Sequence, residues 1–396
     1  MDLKIFLKLQ VRYNYVMFDK LKIAIVYDWI DKWGGVERVL LELHEMFPRA
    51  EFFTSYYDKD KARWAEGIKI NTSFIQKLPD FIRKNRVFSL PFYPFAFESF
   101  DFSDYDLVIS VTSSFAKSII TKPDTVHICY LLTPTRFLWI SPDSYFKSSL
   151  FNLYVSYLKK WDLVAAQRSD YIVSIAKTVA ERCKKYYKRE SEVIYPPFDL
   201  DYWNNIKSKI KNHRSKPQFK SQKYFLVVSR LEPYKKVDYV IKTFNKRKDS
   251  LIVVGTGTQE NYLKGSAKKN IIFMKNITDE ELAVLYRNAK ALIMPQEEDF
   301  GYVALEAQFF GCPIVSYQKG GATETIELEK TGLFFANQSE RSLRGALARF
   351  EKIEYNIKAQ YKRIGHLNVE MFDKKVFRNS FYDFINSNFK VQISNL

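Results

Sequence analysis

The sequence predicts an α/β protein built as two parallel-sheet domains, and three observations support that reading. With 396 residues the chain is longer than one ordinary domain. Short β-branched runs alternate with helix-period segments in both halves, the pattern of strands joined by helical crossovers. Between the two series lies a polar stretch, residues 204–223, with Lys207, Lys209, Lys211, Arg214, Lys216, Lys220 and Lys223 among few apolar residues. That composition marks a solvated linker. The resulting boundaries are an extension at 1–20, a first domain at 21–200, a linker at 201–223, a second domain at 224–375 and a closing segment at 376–396.

Residues 1–20 are basic and aromatic, and they lack the apolar run and small-residue cleavage site of a secretory signal. Met17 stands just upstream of the first strand, and a translation start there is one hypothesis; an intact-mass measurement that finds the preceding residues would reject it. Residues 21–27 form a strand by their density of β-branched side chains. Gly34-Gly35 then precedes a helical pattern through Val36, Val39, Leu40 and Leu43. Paired glycines let a backbone approach a ligand closely, and a tight turn is the plainer reading.

Further strands are expected at 50–55, 106–110, 125–131, 170–174 and 192–195, with helices near 113–118, 152–167 and 177–187. The loop Thr133-Pro134-Thr135-Arg136 leaves one of these strands and carries a cation. Residues 77–102 interleave Arg83, Lys84 and Arg86 with Phe81, Phe88, Phe92, Tyr93, Phe95 and Phe97. Such a stretch either lies in the interface of an anionic membrane or packs its rings into the core beneath a wet basic face.

In the second half, strands are expected at 224–229, 250–254, 271–274, 291–294 and 313–316, helices at 237–245, 259–264, 279–288, 302–310 and 322–327, and a charged helical tail from Ser339. Parallel α/β sheets bind ligands beyond the carboxyl ends of their strands, and four of these ends carry chemistry. The first is followed by Arg230 and Lys235, a planar fork and a point charge suited to the two phosphates of a diphosphate. The second is followed by Gly255-Thr256-Gly257, small enough for close approach; Glu260 occupies the third glycine position of a dinucleotide fingerprint, which argues against a nicotinamide cofactor.

Residues 295–311 follow the strand at 291–294, with Glu298 in a polar loop and Glu306 about one turn inside a helix. The free N–H groups and dipole of a helix start suit an anion. Carboxylates repel phosphate, so the two glutamates are read as acceptors for hydroxyls of a ligand bearing both sugar and phosphate, against the plainer reading of an acidic surface loop. The fourth strand end leads into Lys319-Gly320-Gly321-Ala322-Thr323-Glu324.

Net charge +17 and pI near 9.4 favour an anionic partner such as a nucleotide or an acidic membrane surface. No nucleic-acid motif or stacking surface accompanies the basic linker, so nucleic acid is not the expected partner. No apolar run nears the roughly 20 residues that span a bilayer. Cys129, Cys183 and Cys312 are far apart and, with four histidines, give neither a disulfide framework nor metal-ligand spacing, which fits a cytoplasmic protein. The pairs Asp104/Asp106 and Asp199/Asp201 have the spacing of a metal-diphosphate motif, but neither ends a strand beside Arg230, and both are read as structural. Hydrolase elbows and Cys–His arrangements are absent.

Several motifs now fall into one order: Gly34-Gly35-Val36-Glu37-Arg38, Tyr195-Pro196-Pro197-Phe198-Asp199, Ser229-Arg230-Leu231-Glu232-Pro233-Tyr234-Lys235, Val254-Gly255-Thr256-Gly257, the stretch from Glu298 through Phe300, Gly301, Tyr302 and Val303 to Glu306, and Gly320-Gly321-Ala322-Thr323-Glu324. Over residues 21–350 the chain resembles the retaining glycosyltransferases of family 4, with the GT-B fold, and within them bacterial GDP-mannose-dependent mannosyltransferases of polysaccharide or O-antigen assembly. The resemblance implies two Rossmann-like domains facing across a cleft, the first for acceptor and the second for nucleotide sugar. By position it implies that Arg230 and Lys235 hold the diphosphate and stabilise the leaving group, that Glu298 orients donor-sugar hydroxyls, and that Glu306 binds the ribose. Gly255, Gly257, Phe300, Gly301, Tyr302 and Val303 would complete the nucleotide-sugar site, with Gly34 and Gly35 supplied by the first domain. It also implies retention without a protein nucleophile, no metal, a lipid-linked or growing glycan acceptor, and a last helix that crosses back to the first domain; peripheral contact with an anionic membrane is the expectation that residues 77–102 carry.

One position departs. Many relatives place a histidine immediately before the Thr-Pro of the first-domain loop, where this chain has Leu132. His127 lies inside the strand and is expected to pack, while Arg136 is the remaining polar candidate on the acceptor side. The departure keeps open a catalytically weak nucleotide-sugar-binding partner of an active transferase, and a UDP-sugar donor is the other alternative. An epimerase of the same fold is disfavoured by the motif from Glu298 to Glu306.

Overall fold

The computed structural model describes residue 18 and residues 20–140, 150–212 and 223–393. The hypothetical start at Met17 and residues 213–222 of the linker lie outside them. The chain divides into two units, one running to Pro197 and resuming at Lys375, the other Phe198–Lys374.

The first unit holds a seven-stranded parallel sheet of β1 (Ile23–Tyr27), β2 (Glu51–Thr54), β3 (Ile70–Thr72), β4 (Leu107–Thr112), β5 (Val126–Leu131), β6 (Tyr171–Ser174) and β7 (Glu192–Val193), in the order β3-β2-β1-β4-β5-β6-β7. Every residue of β1, β4 and β5 is buried, as expected where helices cover both faces of a parallel sheet. β3, too short and polar to stand out in the sequence, pairs with β2 through Phe52 and Ile70. Strand order reverses between β1 and β4, where Ile25 faces Ile109.

That reversal is pinned by Asp28, one residue beyond β1 and fully buried. Its carboxylate accepts hydrogen bonds from Thr112 Oγ1 at 2.9 Å and from the backbone N–H groups of Ser113, Phe115 and Ala116 at 2.8 Å each. The loop after β4 thus solvates a charge that burial alone would expel. A second buried network fixes the loop after β5. Lys117 Nζ lies 2.5 Å from Asp162 Oδ1 with both side chains buried, and Asp162 also accepts from Thr135 Oγ1 (2.8 Å), Trp139 Nε1 (2.7 Å) and Tyr187 OH (2.9 Å).

The basic, aromatic segment forms three short helices, Asp80–Arg83, Arg86–Ser89 and Tyr93–Glu98. The two readings of its rings divide between them: Tyr93, Phe97 and Phe102 enter the core, whereas Phe81 (67%), Phe88 (57%) and Phe95 (62%) are exposed. The helix Lys374–Ile393 returns the chain to the first unit. Phe377, Phe381, Phe384 and Ile385 are all buried and recur at helical spacing, so they share one face. Phe377 and Phe381 pack edge-on against Tyr130, Phe384 packs against Tyr171, Tyr382 donates to Met46 O, and Arg378 pairs with Glu42 and Glu45.

The second unit holds six parallel strands, β8 (Tyr224–Val228), β9 (Ser250–Val254), β10 (Ile271–Met274), β11 (Leu292–Met294), β12 (Ile314–Tyr317) and β13 (Gly332–Phe335), in the order β10-β9-β8-β11-β12-β13. Together these are two Rossmann-like parallel-sheet domains. The linker reading needs correction over 201–212, because Leu200–Asn212 is a helix of this unit. Leu200, Trp203, Ile206 and Ile210 form a buried stripe, Trp203 stacks on Phe198, and Tyr202 reaches Asp279. Lys207 and Lys209 lie off that stripe, and the number of lysines along the stretch hid a narrow apolar stripe. Asp199 accepts from Tyr202 N and Lys374 Nζ at 2.9 Å each, and Asp106 accepts from Lys22 N at 2.7 Å, so both Asp-x-Asp segments serve the backbone.

His127 is fully buried on β5, with Nε2 2.7 Å from Ser110 Oγ. Burial pushes its imidazole down from 6.5 to about 3. The unfolded chain therefore takes up this proton near pH 6.5 and the folded chain only near pH 3, so stability from His127 is lost as pH falls through that window. The expected slope is up to about 1.4 kcal/mol per pH unit. Urea denaturation of the wild type and His127→Asn should show a stability gap that shrinks steadily as pH falls from neutral; a constant gap would contradict the assignment.

Candidate active site

The four chemistry-bearing strand ends of the second unit belong to β9, β8, β11 and β12, which are contiguous in the sheet. The order reverses between β8 and β11, the place where open parallel sheets leave a crevice. Pro233–Lys235 after β8 is one tight 3-10 turn, with Pro233 preset for its first position, and the chain passes through Lys236 into the helix Val237–Phe244. Lys235 is buried by this turn, and its Nζ lies 2.5 Å from Glu298 Oε1. Gln296 Nε2 donates to the same oxygen at 2.8 Å, while Gln296 Oε1 is buried without a hydrogen-bond partner among the described residues. Arg230 is exposed, forms no ion pair among the described residues, and lies 5.8 Å from the Tyr234 ring, with Lys235 5.4 Å from that ring.

Glu306 sits in the helix Tyr302–Phe309, which Gly301 caps in the left-handed region. Its side chain is buried, and Oε2 accepts from the hydroxyl of the fully buried Tyr286 at 3.0 Å. Phe300 is buried and edge-on to Tyr302 at 5.2 Å, and the helix start brings Tyr302 and Val303 into the same turn.

The glycines let neighbouring loops come close to one another. A Cβ on Gly255 would stand 1.9 Å from Ser229 O, and one on Gly257 2.4 Å from Leu231 O. Leu231 N donates to Thr256 O and Gln259 N to Leu231 O, so the loop after β9 is laced to the loop that bears Arg230. Gly320 and Gly321 do the same after β12: a Cβ on Gly320 would stand 2.2 Å from Glu298 O, and Gly321 N donates to that oxygen at 2.8 Å. At Gly255 and Gly257 the close approach that the structure shows is that of two protein loops.

Two family profiles match the chain, Glycosyl transferases group 1 over residues 208–366 and Glycosyltransferase Family 4 over residues 33–202. The chain belongs to glycosyltransferase family 4, group 1. An uncharacterized glycosyltransferase of Methanocaldococcus jannaschii is 27% identical over 189 residues, 44% of this chain and 48% of that one. An alpha-1,3/1,6-mannosyltransferase of Dictyostelium discoideum is 28% identical over 184 residues, 37% of this chain and 44% of that one. The chain thus spans about half the length of the curated relatives it matches. In structure it is similar to the sucrose-phosphate synthase of Thermosynechococcus elongatus, with a TM-score of 0.71 at 16% identity over 93% of this chain and all of that one. An Anabaena protein in complex with UDP gives 0.66 at 16% identity, again over 93% and 100%. These likenesses show the GT-B fold.

The remaining residues that the family resemblance implied lie in the first unit. Gly34 and Gly35 open the helix Gly35–Met46, and a Cβ on Gly34 would stand 3.0 Å from Glu37 Oε2. Arg136 heads the short helix Arg136–Trp139 directly after the anchored Thr135. Among the described residues no group of three His, Cys, Asp or Glu is arranged to hold a metal ion. Sequence reasoning missed Gln296 and Tyr286. Gln296 neighbours the motif and was within reach, whereas Tyr286 lies in a helix whose face only the packing reveals.

Gly255, with φ of +146°, should not tolerate a side chain. Gly255→Ala is expected to destabilise the protein by about 1–3 kcal/mol and to raise hydrogen exchange across the Ser229–Leu231 loop. Gly265→Ala, in a helix and with nothing within 4 Å of the new methyl, should be neutral or stabilising. Equal melting temperatures for the two variants would contradict the clamp.

Proposed function

We propose that this protein is a retaining, metal-independent hexosyltransferase that moves mannose from GDP-mannose to a lipid-linked or growing glycan in polysaccharide or O-antigen assembly. The observation that carries this reading is the convergence of Arg230, Lys235 and Glu298 at the exits of the adjacent strands β8 and β11. Arg230 and Lys235 grip the diphosphate, and their charge stabilises the phosphate oxygens as the bond from the anomeric carbon to phosphate breaks. The N-terminus of the helix Tyr302–Phe309 adds its dipole at the same edge. Glu298, steadied by Gln296, takes donor-sugar hydroxyls, and Glu306, steadied by Tyr286, takes the ribose. The acceptor oxygen forms the new bond on the face from which the diphosphate departs, and the acceptor proton leaves with the phosphate, so no protein nucleophile is required. The mannosyltransferase of Dictyostelium and an O-antigen chain mannosyltransferase of Escherichia coli, 22% identical over 181 residues, favour mannose.

A second reading has its own observation. Leu132 is buried at the position where the family resemblance implies a histidine, which fits a nucleotide-sugar-binding partner without strong activity of its own. A panel of GDP-, UDP-, ADP- and dTDP-sugars scored for protection against thermal unfolding separates the cases. GDP-mannose should protect most, and protection without any transfer would favour the second reading. Lys235→Ala and Glu306→Ala should each lower transfer by about 100-fold or more while remaining folded, and wild-type turnover should be unchanged by a chelator. Near-normal turnover in either variant would sink the site assignment.

No helix among the described residues is long and apolar enough to cross a membrane. Peripheral contact is assigned to the exposed Phe81, Phe88 and Phe95, which lie among Lys77, Arg83 and Lys84. The protein should co-sediment with vesicles containing phosphatidylglycerol and much less with phosphatidylcholine alone. Phe81→Ser with Phe88→Ser should release it, and sedimentation unaffected by the double change would discard the assignment.

A further inference from the structure

The loop that leaves β1 carries an indole that neither the core nor the sites above account for. Trp33 is 54% exposed, a large apolar ring left in water on a loop that follows a strand's carboxyl end. Trp64 stands beside it, ring centroids 6.4 Å apart at 61°. Trp64 Nε1 donates to Lys32 O at 2.8 Å, so the second indole is tied to the same loop. Two residues before Trp33, Asp31 Oδ2 pairs with Arg86 at 2.5 Å, and the Arg86 guanidinium lies 3.7 Å from the centre of the Trp29 ring. The other oxygen, Asp31 Oδ1, is buried and has no hydrogen-bond partner among the described residues.

Rigid indoles and an oriented carboxylate are complementary to a pyranose. The sugar presents an apolar C–H face that packs flat on an aromatic ring, and a rim of hydroxyls that donate to carboxylates. Tryptophan supplies that area with only two side-chain torsions to freeze. The position adds to this, since the loop begins at Asp28, at the strand reversal where parallel sheets take their ligands. We propose that Trp33, backed by Trp64, is the platform of an acceptor-saccharide subsite, and that the part-exposed Asp31–Arg86 ion pair just upstream takes hydroxyls of the sugar stacked there. The word acceptor rests on the transferase reading; the binding of a saccharide does not.

The test is saturation-transfer difference NMR on the full chain with mannotriose, cellotriose and chitotriose as separate probes, and nucleotide-sugar protection measured on the same samples. Ring protons of at least one trisaccharide should receive saturation. Trp33→Ala should weaken that signal at least tenfold, and Trp33→Tyr, which keeps an aromatic face, should retain most of it. Absence of transfer to all three probes, or a signal unchanged in a Trp33→Ala variant that melts like the wild type, would overturn the subsite. Trp33-dependent transfer without any nucleotide-sugar protection would support the subsite and count against the transferase reading. Nucleotide-sugar protection with no saccharide signal would do the reverse.

Discussion

The candidate site of the second unit depends on backbone lying directly against backbone. The loops after β9 and β12 press glycines onto the loops after β8 and β11, at distances where a single methyl group would overlap a carbonyl oxygen. Hydrogen bonds from Leu231 to Thr256 and from Gly321 to Glu298 then lock each pair. Loops are ordinarily the most adaptable part of an α/β domain. Here four of them are clamped in two pairs, so the side chains they carry inherit the precision of the sheet. Lys235 and Glu298 are 63 residues apart in sequence and meet where the two pairs adjoin, each on a loop held by its outer neighbour.

The contact between those two side chains is better understood as organisation than as stabilisation. Partly buried ion pairs give up hydration that their mutual attraction only roughly repays. What the pair supplies is geometry: an ammonium held out of bulk water, and a carboxylate oriented by two donors, Lys235 and Gln296. Arg230 nearby is exposed, with the Tyr234 ring as its neighbour. One cation is thus preset and the other adaptable, a division that suits an anion which must be both gripped and released.

Much of this was legible in the sequence because strand, turn and helix signals agree along the chain. β9, β10 and the helix Asp279–Asn288 fall where the alternation of strand and helix segments puts them, and a complete capping box of Thr278 and Glu281 opens the last. The motif residues Arg230, Lys235, Glu298 and Glu306 could be named because each follows a recognisable strand. What escaped was information held in packing. The helix Leu200–Asn212 was masked by its lysines, and β3 and β13 are short strands that exist only through their neighbours. Tyr286 looks like any core tyrosine until its hydroxyl is found on Glu306. The glycines were correctly singled out for close approach, but sequence cannot say what approaches.

The first unit solves the same problem with different means. Its strand reversal is closed by a charge, Asp28, that gathers the loop after β4 through hydrogen bonds from Thr112, Ser113, Phe115 and Ala116, where the second unit uses glycines. The loop after β5 is likewise anchored at Thr135 by the buried Lys117–Asp162 pair. Just upstream, Leu132 is buried and Thr133 Oγ1 has no hydrogen-bond partner among the described residues. The loop is therefore anchored at Thr135 and holds a buried neutral hydroxyl, with no imidazole, at its start. A hydroxyl can orient a neighbouring hydroxyl but cannot take up a proton near neutral pH.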